Sequence, residues 1–300
     1  MNKQISIAIL TGGASSERDI SLLSAQSVVD ALAPHFLVEV FHLPEDLSAF
    51  LDRRASFDLV IPVIHGKGGE DGEVQGLLKS LGIPFLFSDI RAHALAFDKS
   101  GMKKLARSAG ILGAESFLAA TDEYHAYTHP VVVKPNVAGS SDGVSIVRSQ
   151  EELVDAISSA RKICDDILVE DYILGDEFTV AVIDDGNVLA LPVTQIISKL
   201  EFFDRSSKYD PDLVQEVCPA KIDYELSQEL QRQSVLIHNL IGARHITRSD
   251  FIVDALGKIY FLEVNTIPGL TTVSLAPQAI QVSGRNLSAL LSGWISNVIS

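Results

Sequence analysis

Two short runs near the carboxyl end of the chain, at 250–254 and 259–265, are rich in apolar and β-branched residues. They also carry side chains whose oxygen atoms can bind a metal ion. The loop between them, 255–258, has its glycine late, at Gly257, which is a common arrangement in β-hairpins. The sequence therefore predicts a β-hairpin whose strands hold side chains of the kind that bind hard metal ions.

The register of this hairpin decides which polar side chains meet. We expect Asp254, at the end of the first strand, to pair with Ile259, at the start of the second. With a side-chain period of two, that register produces two further pairs: Asp250 with Glu263, and Arg248 with Asn265. Glu263 and Asn265 then share one face of the sheet.

Two carboxylates directly across a ladder, Asp250 and Glu263, would repel each other unless a cation lies between them. Together with Asn265 they offer only hard oxygen ligands, and no Cys or His lies beside them. This donor set suits Mg²⁺ held jointly with substrate phosphates rather than zinc. The alternative is a register shifted by one residue, with Asp250 facing solvent.

A second segment suited to chemistry is the small-residue loop from Lys134 to Gly143, which follows an apolar strand. Its backbone N–H groups and hydroxyls are what a phosphate cradle requires, although a surface hairpin explains the loop alone equally well. The loop lacks the GxxxxGK[ST] pattern of a Walker A motif, and Gly12-Gly13 lacks the dinucleotide pattern GxGxxG. Three lysines would suit phosphate, although each would also suit a solvated surface: Lys99, Lys134 and Lys208.

Two carboxylates follow a strand-like run at 167–170: Glu170 ends it, and Glu177 comes after an irregular segment with a glycine. A carboxylate at a strand end next to such a segment would suit the amino group of adenine and the hydroxyls of ribose. A solvated acidic loop is the alternative interpretation.

The elements that must position these residues begin with an alternation of strands and helices from Ile5 to about Ala96. Such alternation predicts an α/β unit with a parallel sheet and helices on its faces. Ligands of these sheets lie at the carboxyl ends of the strands. Both glycine-rich turns of this unit, at 11–13 and 65–69, are expected at such ends.

Two further units complete the predicted organisation. Residues 97–182 have the pattern of a small α+β unit that contains the phosphate-type loop. Residues 183–300 hold more strands, the hairpin and several other features. These features are an irregular segment at 198–219, a helix at 227–241 and a closing helix at 283–298. We therefore expect three domains, at 1–96, 97–182 and 183–300.

Composition narrows the class of protein. The 300 residues are 47% hydrophobic, enough for two or three compact cores, and the net charge of −15 argues against a nucleic-acid or anionic-membrane surface. No apolar run reaches membrane-span length, and the amino-terminal residues lead directly into a strand pattern rather than a signal peptide. Cys164 and Cys218 lack any metal-ligand spacing. A cytoplasmic protein is expected.

Taken together, the motifs are similar to those of the D-alanine–D-alanine ligase family of the ATP-grasp superfamily, over nearly the full chain. The resemblance implies the ATP-grasp fold, with the α/β unit followed by two units that sandwich a nucleotide. The matching segments, in order, are GGASSERDIS at 12–21, HGKGGEDGEVQG at 65–76, ALAFDK at 94–99, VVKPNVAGSSDGVS at 132–145, LVEDYILGDE at 168–177, FFDRSSKY at 202–209, RSDF at 248–251 and EVNTIPGLTTVSL at 263–275.

Members of that family join two D-alanines for peptidoglycan precursor synthesis. ATP phosphorylates the carboxylate of the first D-alanine, and the amine of the second attacks the acyl phosphate. By this resemblance, the residues for the nucleotide would be Lys99, Lys134, Ser141, Glu170, Tyr172, Ile173, Glu177 and Lys208. The ligands for two Mg²⁺ ions, for which Mn²⁺ is a possible substitute, would be Asp250, Glu263 and Asn265.

The resemblance also implies roles toward the two amino acids. Glu17 would bind the ammonium group of the first D-alanine, linked to Ser140 and Tyr209 in a triad across three domains. His65 would lie near the carboxylate of that substrate. The second substrate and the reacting oxygen would be held by the following groups: an oxyanion hole of Arg248 and the Gly269 N–H, and a carboxylate site at Ser274 and Leu275. The resemblance further implies a homodimer, and the loops 136–143 and 198–210 are expected to close over the site.

The chain departs from the family pattern at three places. Family members commonly have Glu where this chain has Ala138, an apolar residue where it has Asp142, and Tyr-Thr-Gly where it has Phe85-Leu86-Phe87. A negative charge beside triphosphate weakens binding unless it turns outward or meets a lysine. No expected metal ligand or phosphate lysine is lost, so the resemblance implies an active enzyme.

Three alternatives stay open at this point. One is the same ATP-grasp chemistry with D-serine, D-lactate or another amino acid as second substrate, which the segments 198–217 and 270–278 would decide. A second is a catalytically silent nucleotide-binding protein with a damaged phosphate loop. A nicotinamide-dependent oxidoreductase is remote because GxGxxG is missing.

Overall fold

The computed structural model describes residues 4–119, 127–198 and 213–300. Its first unit contains a three-stranded parallel sheet in the order β2-β1-β3, with β1 at Ser6–Gly12, β2 at Leu37–Leu43 and β3 at Leu59–Pro62. β1 is the central strand and is buried almost throughout, as expected for a strand covered on both faces. The predicted parallel sheet is confirmed, and both glycine-rich turns follow the carboxyl ends of its strands.

Helices cover this sheet and lead out of the unit. α1 spans Arg18–Leu32, α2 spans Leu47–Arg53 and is followed by a 3₁₀ turn at Arg54–Ser56, α3 spans Glu73–Ser80 and α4 spans Ile90–Phe97. α1 buries a stripe that includes two serines, Ser21 and Ser24, beside Ala25, Val28 and Leu32. Buried hydroxyls on an otherwise apolar stripe require partners, and both have partners at the site described below.

The middle of the chain forms a four-stranded antiparallel sheet in the order β4-β7-β5-β6. Its strands are β4 at Ser116–Ala119, β5 at Val131–Pro135, β6 at Ser145–Val147 and β7 at Ile167–Asp171. α5, at Lys99–Ser108, begins directly after the cap residue Asp98, whose carboxylate accepts the Gly101 N–H at 2.9 Å. α6, at Gln150–Ala160, begins after Ser149, whose hydroxyl accepts the Glu152 N–H at 3.2 Å.

The last unit is a six-stranded antiparallel sheet in the order β11-β10-β8-β12-β13, with β9 paired to β8. The strand bounds are β8 Gly175–Asp184, β9 Val188–Ala190, β10 Thr194–Ser198, β11 Val214–Val217, β12 Ile246–Asp254 and β13 Ile259–Asn265. α7, α8 and α9 span Tyr224–Ile241, Leu275–Val282 and Leu287–Ile299. None of the helices in the described ranges is both long and apolar enough to cross a membrane.

Several details of this unit differ from the prediction, including a start of α7 at Tyr224 rather than at 227 and the presence of α8. The closing helix predicted from 283 begins at Leu287, because a turn at Gly284 with φ of 78° separates it from α8 and the Asn286 side chain caps it at 3.2 Å from the Ala289 N–H. The segment predicted as irregular at 198–219 contains the strand β11, which pairs with β10. Residues 199–212 of that segment lie outside the described chain.

The first and last units share one hydrophobic core. Ile9 and Val28 of the first unit pack in a single buried cluster with Ile183, Ile280 and Trp294 of the last. Trp294 is also anchored by its indole N–H, which donates to the Asp184 carbonyl at 2.7 Å. A second buried cluster joins α4 and α5 to α7 and to the strands β8, β12 and β13. The packing holds the first unit directly against the carboxyl-terminal sheet.

Candidate active site

The predicted hairpin exists, and its register at the site is confirmed. Arg248 pairs with Asn265 and Asp250 pairs with Glu263, on β12 and β13. The predicted pairing at the loop is wrong, because Ile259 faces Val253 rather than Asp254. The register therefore differs by one residue between the two ends of the hairpin, and a β-bulge next to the site accounts for this difference.

The bulge has a simple geometry. Asp250 pairs with Glu263 and the next residue of β12, Phe251, pairs with Phe261, so Leu262 is the extra residue of β13. The loop is held by the Asp254 carboxylate, which accepts the N–H groups of Leu256 and Lys258 at 2.9 Å each. Because Leu262 lines the adjoining pocket, the bulge also supplies part of its apolar wall.

Asp250 is buried at 7% exposure, which excludes the solvent-facing alternative. Its carboxylate accepts hydrogen bonds from the Thr179 hydroxyl at 2.5 Å and from Arg248 Nε and Nη2 at 3.0 and 2.8 Å. The Asn265 amide also donates to it at 3.2 Å. Burial would lower the pKa of Arg248, but the charge and hydrogen bonds of Asp250, and then the charge of Glu263, raise it above its usual value. Arg248 is therefore a fixed cation at this edge of the sheet.

Lys99, the first of the three lysines predicted to bind phosphate, contacts the hairpin. Lys99 is the first residue of α5, and its ammonium lies 3.2 Å from the Glu263 carboxylate and 2.5 Å from the Ala138 carbonyl oxygen. The helix that begins the central unit thus places one cation between the hairpin and the loop 134–143. Within the described ranges no group of three or more His, Cys, Asp or Glu could hold a metal ion, so a metal at the hairpin depends on the Asn265 amide oxygen.

Glu170 has two buried partners that the sequence did not predict. Its carboxylate lies between two buried ammonium groups, Lys134 and Lys103, with Lys103 Nζ at 2.7 Å. Burial would raise the pKa of Glu170, but the two lysines lower it below its usual value. Two cations and one anion leave this buried cluster with a net positive charge beside the pocket. That charge would attract a polyphosphate.

Lys103 was missed by the sequence analysis. It lies four residues after Lys99 on α5 and is only 6% exposed. A spacing of four places two side chains on the same helix face, and this signal was available from the sequence. Lysine is almost never fully buried without a partner, so the burial of Lys103 depends on Glu170.

A single pocket gathers most of the residues predicted for the nucleotide. It lies between the central sheet and the hairpin. The residues that line it include Lys99, Lys134, Ser141, Asp142, Glu170, Tyr172, Ile173, Glu177, Asp250 and Glu263. Asp142, one of the departures from the family pattern, belongs to this lining. Lys208 lies outside the described residues.

The loop 134–143 also contacts the first unit. The Ser140 hydroxyl donates a hydrogen bond to the Glu17 carboxylate, and the two residues are 123 positions apart. Ser140 and Ser141 have φ of 51° and 56°, so the loop presents its amides through a left-handed turn. A Cβ at Gly139 would lie 2.2 Å from Glu17 Oε2, which explains the glycine there. Tyr209, the third member of the predicted triad, lies outside the described residues.

Glu70 is a second residue that the sequence analysis missed, although it lies within the glycine-rich segment at 65–76. Its carboxylate accepts the Gly66 N–H at 2.8 Å. Burial, and next the charge of Glu17, raise the pKa of Glu70 to about 8. The protonated carboxyl therefore predominates at neutral pH, and it stabilises the turn that carries His65.

His65 lies at the carboxyl end of the parallel sheet and is 3% exposed. Its ring Nε2 is 2.9 Å from the Ser24 hydroxyl, and its backbone N–H donates to Ser21 at 2.9 Å. Burial lowers the pKa of His65 to about 4, so the ring is neutral at neutral pH. His65 acts there as a dipole rather than as a cation.

The residues predicted for the second substrate meet at the start of α8. Ser274 precedes α8, Leu275 is its first residue, and the Ser274 hydroxyl lies 2.7 Å from that of Thr271. A Cβ at Gly269 would lie 2.8 Å from Ser274 Oγ, so the loop passes too close to the helix for a side chain there. The structure brings Gly269, Ser274 and Leu275 together.

Comparisons with known proteins give matches along most of the chain. The family models "D-ala D-ala ligase C-terminus" and "D-ala D-ala ligase N-terminus" match residues 102–296 and 42–88. A protein of Desulfotalea psychrophila named D-alanine–D-alanine ligase is 37% identical over 98% of this chain and 94% of its own length. A protein of the same name from Halalkalibacterium halodurans is 36% identical over 97% and 98%.

Solved structures with the same fold include two with different titles. The D-alanine–D-alanine ligase from Bacillus anthracis complexed with ATP matches with a TM-score of 0.86 and 29% identity, over 99% of this chain and 98% of that one. The VanG D-Ala:D-Ser ligase from Enterococcus faecalis matches with a TM-score of 0.84 and 29% identity, over 99% and 100%. Likeness of fold therefore extends to ligases with more than one second substrate.

Proposed function

Since the chain belongs to the D-alanine–D-alanine ligase family, whose fold is ATP-grasp, we propose that it is an ADP-forming ligase that joins two D-alanines for peptidoglycan precursor synthesis. The observation that carries this proposal is the meeting of three parts of the chain at one pocket. Glu17 of the first unit contacts Ser140, in the same loop that reaches Lys99 and, through it, Glu263. An ammonium site, a phosphate site and a carboxylate-rich hairpin are then neighbours.

The reaction requires two transfers. A carboxylate oxygen of the first D-alanine attacks the γ-phosphorus of ATP, the bond to the β-phosphate oxygen breaks, and ADP leaves. The amine of the second D-alanine then attacks the acyl carbon, loses a proton, and inorganic phosphate leaves. Both steps depend mainly on positioning and on neutralising negative charge.

For the nucleotide, we assign the phosphates to Lys99, Lys134, Ser141 and Lys208. The adenine and ribose would contact Glu170, Tyr172, Ile173 and Glu177. The positive charge of the Lys103–Glu170–Lys134 cluster supports this placement, as does the shared pocket. The ionised Glu170 is also the kind of acceptor that an exocyclic amino group requires.

The hairpin fits a divalent metal ion. Asp250, Glu263 and Asn265 offer two carboxylates and one amide oxygen on adjoining positions of two strands, which is a hard donor set that needs further oxygens from phosphate. We propose that these residues hold two Mg²⁺ ions, with Mn²⁺ as a substitute. Bound there, the metal would neutralise the charge of the phosphate groups.

For the amino acids, we assign the ammonium of the first D-alanine to Glu17, with Ser140 and Tyr209 completing the triad. His65 would contact the carboxylate of that substrate as a neutral ring. Arg248 and the Gly269 N–H would stabilise the oxyanion that forms when the amine attacks, where one such donor contributes on the order of 3 kcal/mol. The Ser274 and Leu275 site at the start of α8 would receive the carboxylate of the second D-alanine.

The decisive experiment is ATP-dependent phosphate release with Mg²⁺ and D-alanine, D-serine, D-lactate and L-alanine, tested singly and in pairs. Release with D-alanine alone, with the D-alanyl dipeptide identified by mass, supports the proposal. Release only when D-serine or D-lactate is added would mean that this compound, rather than D-alanine, is the second substrate. No release with any pair, despite ATP binding, would contradict the proposal.

Several properties of the whole molecule belong to the same proposal. We propose three domains, with the first boundary at 96 as predicted and the second moved from 182 to Gly175, because β8 crosses 182 and belongs to the carboxyl-terminal sheet. We also propose a cytoplasmic homodimer and closure of the loops 136–143 and 198–210 during the reaction. Sedimentation would test the dimer.

A further inference from the structure

Ser24 is a fully buried polar residue on α1 that none of the roles above uses. Its exposed fraction is 0%. The Ser24 hydroxyl lies 2.9 Å from His65 Nε2 and accepts the backbone N–H of Leu270 at 3.2 Å. It therefore joins three distant parts of the chain: the first helix, the turn after β3, and the loop that carries Gly269.

The hydrogen bonds of Ser24 determine how the His65 ring is protonated. A hydroxyl has one proton to donate, and the Leu270 N–H already uses one of its lone pairs. Among the contacts of Ser24 in the described chain, His65 Nε2 is the acceptor available to that proton. Donation of that proton to Nε2 places the single ring proton of the neutral His65 on Nδ1.

The other partner of the ring agrees with this tautomer. A hydrogen bond with the backbone of Ile267 favours the protonated ring, as a donor nitrogen facing a carbonyl does. Ile267 also hydrogen bonds through its backbone to Glu70. Ile267 and Leu270 are thus each fixed from the first unit, and they lie on either side of Gly269.

We propose that Ser24 is a positioning residue for ligation, which fixes the His65 tautomer and the Leu270 backbone and so holds the Gly269 N–H in the oxyanion hole. The inference rests on the proposed function, because it concerns the same reaction. It adds a residue that acts through His65 and Leu270 and does not touch the substrates itself.

The physical reason is the free-energy cost of leaving buried polar groups of this loop without hydrogen-bond partners. Replacing Ser24 with Ala leaves two buried groups without a partner, the Leu270 N–H and His65 Nε2. The loop then shifts or opens to satisfy them. A displacement of about 1 Å at a group that contacts the reacting atoms can reduce turnover by about 100-fold.

Two measurements test the role of Ser24. Histidine ¹⁵N–¹H correlation spectra of the wild-type chain at pH 7.5, with His65 assigned from a His65→Gln variant, report the tautomer directly. We expect a protonated Nδ1 and an unprotonated Nε2, whereas the opposite tautomer would overturn the proposal. This spectrum requires neither enzymatic activity nor a Ser24 variant. It therefore tests the predicted His65 tautomer even if Ser24→Ala fails to fold.

Steady-state kinetics and amide exchange complete the test in Ser24→Ala. We expect kcat to fall by about 10- to 100-fold with the KM for ATP nearly unchanged, and the Leu270 amide to exchange at least about 10-fold faster. Ser27→Ala, on the same helix, is the matched control, because the exposed Ser27 hydroxyl donates within α1, to the Leu23 carbonyl at 3.2 Å. An unchanged kcat, or an equal change in kcat and the KM for ATP, would overturn the proposal.

The outcomes separate this inference from the proposed function. If the wild-type chain joins no D-alanines, the proposed function fails while the tautomer and the Leu270 exchange rate still report whether Ser24 fixes the loop. If the chain joins D-alanines and Ser24→Ala does so at the wild-type rate, only the positioning role of Ser24 fails.

Discussion

Lys103 Nζ lies 2.7 Å from the carboxylate of Glu170, and both side chains are almost fully buried. The pair connects the first helix of the central unit to the strand end beside the nucleotide pocket. Lys134 contacts the other oxygen of the same carboxylate. Glu170 is therefore oriented from two sides.

Lys103→Met should weaken ATP binding by about 10-fold or more, because Glu170 loses one of the two cations that fix its charge and direction. It should also lower the free energy of unfolding by about 3 kcal/mol, as for other buried ion pairs that lose one partner. Lys104→Met is the matched control, since Lys104 is the neighbouring lysine and is exposed. Nucleotide affinity by calorimetry and urea unfolding measure both effects. Equal ATP affinity in the two variants would contradict the orienting role.

Asp142→Val should lower the apparent KM for ATP by a few-fold, because Asp142 lines the pocket and its charge opposes triphosphate. Asp142→Asn removes the charge at nearly constant size and should give the same result. Steady-state kinetics at saturating D-alanine measure the effect. An unchanged KM in both variants would mean that the carboxylate turns away from the phosphates.

Glu263→Gln should reduce turnover by at least about 100-fold, because the hairpin loses one of its two carboxylates and Lys99 loses its partner at 3.2 Å. Raising Mg²⁺ should restore part of the loss if the carboxylate holds metal. Glu225→Gln, at an exposed position of α7, is the control. Wild-type activity at ordinary Mg²⁺ would contradict the metal site.

Stability should fall as the pH is lowered from 7 to 5. Burial lowers the pKa of His65, His93, His238 and His245 to about 4 each, so the folded chain keeps these rings neutral while the unfolded chain binds protons below about 6.5. Their stabilisation is complete above about pH 6.5 and is lost as the pH falls toward 4. Glu70, with its pKa raised to about 8, acts in the opposite direction between about 4.5 and 8, but it is one group against four.

Urea unfolding at a series of pH values checks this linkage. In His238→Gln the dependence of the unfolding free energy on pH should be shallower between pH 5 and 6.5, because one buried ring no longer titrates on unfolding. His35→Gln, at an exposed position, should keep the wild-type slope. An equal slope in all three proteins would contradict the account.

The sequence predicted the parallel sheet, the hairpin and the metal-binding side chains that the hairpin carries, because period-two patterns and glycine turns are local signals. It did not predict the bulge at Leu262. At the loop, the Asp254 N–H donates to the Lys258 carbonyl at 3.1 Å, so the two strands pair there one residue away from the predicted register. The pairs at Asp250 and Arg248 were correct because the extra residue at the bulge restores the predicted register.

Contacts between distant parts of the chain were less accessible to sequence reasoning. Glu170 was expected to face a nucleotide, and only its tertiary partners Lys103 and Lys134 reveal that it also organises the cations. The hydrogen bond that the Leu270 N–H donates to Ser24 spans 246 positions and leaves no local pattern. α8 was missed because it is a short helix that directly follows the substrate loop and has Pro277 as its third residue, where proline reads as a helix breaker although the first turn tolerates it.

The most direct test of the account follows oxygen from substrate to phosphate. Ligation would be run with ATP and D-alanine carrying ¹⁸O in both carboxylate oxygens, and the released phosphate would be analysed by mass spectrometry. Attack of that carboxylate on the γ-phosphorus predicts one ¹⁸O atom in each phosphate released, with the other retained in the peptide carbonyl. Phosphate released without ¹⁸O would contradict ligation through an acyl phosphate.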